Sequence, residues 1–130
     1  MNTKLLMEAS SVFMGLIGIA LTFMPAEVLE TLGQESNVTS ILIFQLTGAL
    51  YFGFAMINWT AKAILIGGIY AKPLSIGNFS HFFIAGLSLI KAAFGNSTSS
   101  TYIVILAIIY VLFAILFGYI LFTHPIKKLN

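Results

Sequence analysis

Four unbroken apolar runs decide what this chain can fold into. They cover residues 5–24, 40–59, 76–94 and 101–123, and each has 19 to 23 residues. At about 1.5 Å of rise per residue, that is the length an α-helix needs to cross a hydrocarbon layer of about 30 Å. Strands of a membrane β-barrel would alternate apolar and polar residues over roughly ten positions instead. Charge is scarce to match. Only 8% of the 130 residues are charged and 59% are hydrophobic, against roughly 25% charge in an average soluble domain. An ordinary water-soluble domain, a disordered chain and a nucleic-acid binder are excluded on that ground. The expected fold is all-α: a single domain over residues 1–130, built as an integral membrane bundle of four transmembrane helices.

The connections differ in character. Residues 25–39, PAEVLETLGQESNVT, are acidic. Val28, Leu29 and Leu32 share one helical face there, which predicts a short interfacial helix over about 26–33 that ends at Gly33. Residues 60–72 hold an apolar run, 63–70, that is too short to span. They either continue the second helix or form an interfacial, partly re-entrant segment broken at Gly67 and Gly68. The third connection, GNSTSS, is a tight polar turn. The first run resembles a signal peptide in outline, with Lys4 before it and Pro25 after it. Glu8 interrupts it and no small-x-small cleavage site follows, so it is expected to remain as a span.

Lysine placement sets the expected orientation. Lys4, Lys62, Lys72, Lys127 and Lys128 all fall on one side of a four-helix threading, and Glu27, Glu30 and Glu35 fall on the other. By the positive-inside rule both termini are cytoplasmic. Lys91 alone lies at the opposite end, where it is expected to snorkel to the interface. All six basic residues are Lys, so no bidentate guanidinium clamp for an anion exists.

A charge within a span costs roughly 2.5–3.5 kcal/mol on insertion scales. The threading puts Glu8, Asn58, Asn78, His81 and His124 at similar depth near the cytoplasmic side, a candidate polar cluster. A Glu–His pair there could exchange a proton near neutral pH. The alternative is that these residues lie wet in the headgroup layer, more so for Asn58 and His124, which stand at helix ends. Small residues mark expected helix packing: Ser11, Gly15 and Gly18 on the first helix, Ala49 and Gly53 on the second.

Other chemistry finds little support. There is no cysteine, so disulfides and thiolate metal sites are excluded. No metal site and no cofactor is expected. His81 and His124 are nearly level at one membrane edge, a poor arrangement for axial haem ligands. No HExxH, P-loop or GxSxG signature occurs.

Three features carry a family resemblance. They are a first helix ending at Pro25, an amphipathic link ending at Gly33, and the Gly-rich basic stretch AKAILIGGIYAKPLSIGN after the second helix. In these the chain resembles small four-helix bacterial membrane proteins of the DoxX-like kind. The resemblance implies an inner (plasma) membrane location and opens an accessory role beside a redox or quinone-linked system; it assigns no catalytic residue. From the residues themselves, the leading expectation is a non-enzymatic membrane protein. It would associate with the bilayer and with copies of itself or other membrane subunits. A small proton-coupled transporter or channel using Glu8 and His81, and a lipid- or quinone-binding protein, are the alternatives.

Overall fold

The computed structural model describes residues 2–64, 71–95 and 101–123. Five helices occur among them: α1 (Thr3–Phe23), α2 (Pro25–Thr31), α3 (Val38–Ala61), α4 (Lys72–Gly95) and α5 (Thr101–Phe122). All but α2 are long and apolar enough to cross a membrane. The chain divides into two compact units, Met1–Ala63 and Ile64–Asn130.

In the first unit, local chemistry sets each helix end. The Asn2 side chain accepts a hydrogen bond from Leu5 N at 3.2 Å and caps α1. Pro25 has no N–H to continue α1 and its ring disfavours a helical residue before it; Met24 accordingly leaves the helix at φ −130° and ψ 44°. Pro25 then opens α2, where its fixed φ suits the first turn. Helix α2 ends in a Schellman motif. Gly33 N donates to Glu30 O and Gln34 N to Leu29 O, both at 2.9 Å. Gly33 has φ +70°, which a side chain would strain. This is the terminator expected of the link, with Leu29 buried beneath it. Asn37 and Ser40 form a capping box that starts α3.

Helices α1 and α3 then pack antiparallel through small residues. The Ser11 hydroxyl donates to Ala55 O at 2.7 Å. A Cβ built on Gly15 would lie 3.6 Å from Ala55 Cβ, and one on Gly18 would lie only 2.7 Å from Phe52 N. A Cβ on Gly48 would meet the Thr22 hydroxyl and come within 2.8 Å of Gly18 O. The backbones therefore touch at Gly18 and Gly48, as small residues permit. Here the structure corrects the expected register. Ala49 is exposed and Gly53 has nothing within 4 Å of its would-be Cβ. Gly48 and Ala55 carry the α3 side instead. A shift of one position turns a residue about 100° around the helix, enough to take it off the seam.

In the second unit, α4 starts earlier than its apolar run. Lys72 and Pro73, expected in the preceding link, form its first turn. Proline is tolerated there because the first N–H groups of a helix have no partner to lose. The expected break at Gly67 and Gly68 lies outside the described residues. Helices α4 and α5 pack antiparallel around aromatic rings. Phe82 is fully buried, with ring centroids 4.7 Å from Phe113, 5.3 Å from Tyr110 and 5.8 Å from Phe117. The Phe79 ring covers Gly118, where a Cβ would come within 3.1 Å of it.

Candidate functional site

Of the five residues expected to cluster, Glu8 and Asn58 belong to the first unit and Asn78 and His81 to the second. His124 lies outside the described residues.

Glu8 finds its partner at the end of α3, the returning helix of its own hairpin. Its Oε1 stands 3.5 Å from Lys62 Nζ, with the side chains 31% and 26% exposed. The same ammonium sits 3.2 Å from the centroid of the Trp59 ring. A carboxylate on α1, an ammonium at the α3 C-terminus and an indole one turn before it thus form a single contact. Each neutralises or covers another, which lowers the cost of holding charge at the edge of a span. Lys62 reads in the sequence as a marker of orientation only. Its spacing from Gly48 and Ala55, seven residues each time, was the available signal that it shares their face of α3. The pair is partly solvated, so its contribution is modest. Glu8→Gln and Lys62→Gln are each expected to cost up to about 1 kcal/mol, with a small positive coupling in a double-mutant cycle. A coupling of zero in detergent unfolding would show the contact to be idle.

Asn58 is fully buried rather than wet. Its Nδ2 donates to the Ser10 hydroxyl at 3.0 Å, and that hydroxyl donates to Met7 O at 3.1 Å. Met14 Sδ lies 4.0 Å from the same nitrogen. With Ser11 bonded to Ala55 O, the hairpin therefore carries a ladder of polar contacts along one seam. Such interhelical bonds contribute about 0.6 kcal/mol on average in a membrane protein, and up to about 1.7. Ser10 was not singled out by the sequence: it adjoins Ser11, and nothing in the apolar run marks which face each of the two serines lies on.

In the second unit, Asn78 is also fully buried and donates from Nδ2 to Leu74 O at 3.0 Å, one turn back along α4. Ser75 lies one turn before it, buried, with its hydroxyl unpartnered among the described residues. His81 packs among rings, 5.1 Å from the Phe82 centroid and 5.7 Å from that of Tyr110. Asn78 and His81 thus share α4, one in a helix-internal hydrogen bond and the other at the edge of the aromatic core. Among the described residues no three His, Cys, Asp or Glu side chains converge as a metal would require.

A second feature of this unit is a groove along α4 and α5. It has a volume of about 300 Å³, with Phe79, Phe83, Leu87, Ala114 and Ile115 among its walls. Through Ile90 and Val111 it continues into a second stretch of about 400 Å³ that reaches Phe94 and Val104. No polar side chain lines either part. Phe83, Leu87 and Ile115 remain about half exposed.

These features define a class: an all-helical protein of two antiparallel hairpins, with four helices of membrane-spanning length and composition. The chain matches no protein-family model, no curated protein and no solved structure.

Proposed function

We propose that this is a non-enzymatic integral membrane protein that works as a self-associating or accessory subunit, consistent with the DoxX-like resemblance. One observation carries the proposal. In the first hairpin the buried polar side chains of the spans, and the partly exposed Glu8, are engaged within the hairpin itself, through Ser11 to Ala55, Asn58 to Ser10 and Glu8 to Lys62. What the long helices leave outward is mostly apolar: Leu16, Leu50, Ile84 and Ile115 are among the large side chains more than 60% exposed, with Gln45 and Lys91 among the exceptions on α3 and α4. Ala49 and Gly53, one turn apart on the outer face of α3, add a surface where another helix can approach closely. Glu8, held by Lys62, then has a structural role in place of proton transfer. The lysine distribution supports a plasma-membrane orientation with both termini cytoplasmic.

Two measurements test this. Protein purified from native membranes in mild detergent is expected to run as an oligomer or with a further membrane subunit. Gly53→Leu should disperse that assembly while leaving the hairpin folded. A stable monomer with nothing bound to it would overturn the proposal. For orientation, the chain has no native cysteine, so single labelling sites are unambiguous. Ser36→Cys is expected to react with an impermeant reagent on intact cells and Asn2→Cys only after lysis; the reverse would invert the topology.

A further inference from the structure

The α4–α5 groove and Lys91 have a joint explanation. The groove is lined by apolar side chains, and its two stretches run from Phe79 to Phe94 on α4. Fifteen steps of about 1.5 Å give roughly 22 Å, longer than the ~15 Å depth of one leaflet's hydrocarbon. Its volumes of about 300 and 400 Å³ are on the scale of ligand-sized clefts. Within the α4–α5 hairpin its walls stay open, with Phe83, Leu87 and Ile115 exposed.

Charge then selects among hydrophobic occupants. The unit Ile64–Asn130 contains Lys72, Lys91, Lys127 and Lys128 and no acidic residue. Lys91 follows the groove residue Leu87 by one helical turn and Ile90 by one position. It is exposed and makes no ion pair among the described residues. A neutral hydrocarbon chain would leave that ammonium unused. An amphiphile with an anionic head would satisfy both features at once.

We propose that this groove holds an acyl chain of an anionic phospholipid whose phosphate sits on the Lys91 ammonium. Carbon walls bind the chain by dispersion contact, which open bilayer supplies less completely to an aromatic-lined cleft. Lys91 binds the head as a point charge, since no guanidinium fork is present. The proposal goes beyond the subunit role above but rests on the same membrane reading.

The test uses the full chain in native membranes first washed with alkaline carbonate, where it is expected to stay in the membrane pellet. Delipidated protein in detergent is then titrated with palmitoyl-oleoyl phosphatidylglycerol or phosphatidylcholine and read by native mass spectrometry. The anionic lipid is expected to bind about fivefold more tightly, the ratio that one lysine worth about 1 kcal/mol gives. Lys91→Gln should abolish that preference and Lys91→Arg should keep it. Ile115→Trp fills the groove from an exposed position, and should weaken both lipids without changing helicity. A preference that survives Lys91→Gln, or binding unchanged in Ile115→Trp, would overturn the proposal. So would a lipid-free dimer that buries the groove between copies. Recovery of the native chain in the carbonate-soluble fraction would overturn the membrane reading, and this proposal with it.

Discussion

Gly18→Leu is expected to open the first hairpin, with a loss of about 3 kcal/mol in detergent unfolding, the upper end of the usual overpacking range. A Cβ at this position would already stand 2.7 Å from Phe52 N and 2.9 Å from Gly48 O. Both are backbone atoms, so no side-chain rotation relieves the clash and the helices must separate. Separation stretches the 2.7 Å bond from Ser11 to Ala55 O, and it pulls Asn58 away from Ser10. Gly48→Leu should behave alike, because its Cβ would meet Gly18 O at 2.8 Å. The control is Gly53→Leu, where a Cβ meets nothing within 4 Å. Leucine has a higher helix propensity than glycine by up to about 1 kcal/mol at either site, so the difference between the variants isolates packing. Equal stability of Gly18→Leu and Gly53→Leu would remove the backbone seam.

Phe82→Ala is expected to loosen the second hairpin by about 2 kcal/mol. In a water-soluble core, removing a buried phenylalanine costs about 3–5 kcal/mol, part of it transfer from water. If the helices span a bilayer as proposed, the surrounding lipid is itself apolar and that part is largely absent. What remains is lost ring contact. Phe82 is fully buried against Tyr110, Phe113 and Phe117, and aromatic pairs contribute about 0.5–1.5 kcal/mol each beyond area. Phe83→Ala makes the comparison. That ring is about half exposed and stacks on Phe79 at 5.3 Å, so its loss should stay below about 1 kcal/mol. Energy transfer between labels at cysteines introduced on α4 and α5 would follow the separation directly. Similar losses for both variants would show that the ring cluster does not hold this hairpin.

The elements themselves were largely legible. Each apolar run became a helix of membrane-spanning length, and Pro25 and Gly33 ended α1 and α2 as their backbone constraints require. On α1, the spacing of Ser11, Gly15 and Gly18 marked the packing face. On α3 the same pattern misled, because Ala49 and Gly53 are as small as Gly48 and Ala55 and differ only in helical phase. In a run where nearly every residue is apolar, periodicity carries little phase information, since lipid-facing and helix-facing positions are chemically alike.

The polar residues show the same limit. Scarcity of charge singled out Glu8 as needing a partner, and the cost of burying charge made that inference sound. Which partner it takes was settled by the antiparallel return of α3, which brings Lys62 and Trp59 beside it. Depth along a helix can be counted from the sequence, but azimuth cannot. Asn58 turns toward Ser10 and is fully buried, although its place near a helix end favoured the wet reading. The sequence alone determined the helices, the ends at Pro25 and Gly33 and the scarcity of charge, because these follow from local backbone chemistry and from hydropathy summed along one segment. Only the tertiary structure decided which faces meet, because that depends on where two helices clash or bond across tens of residues.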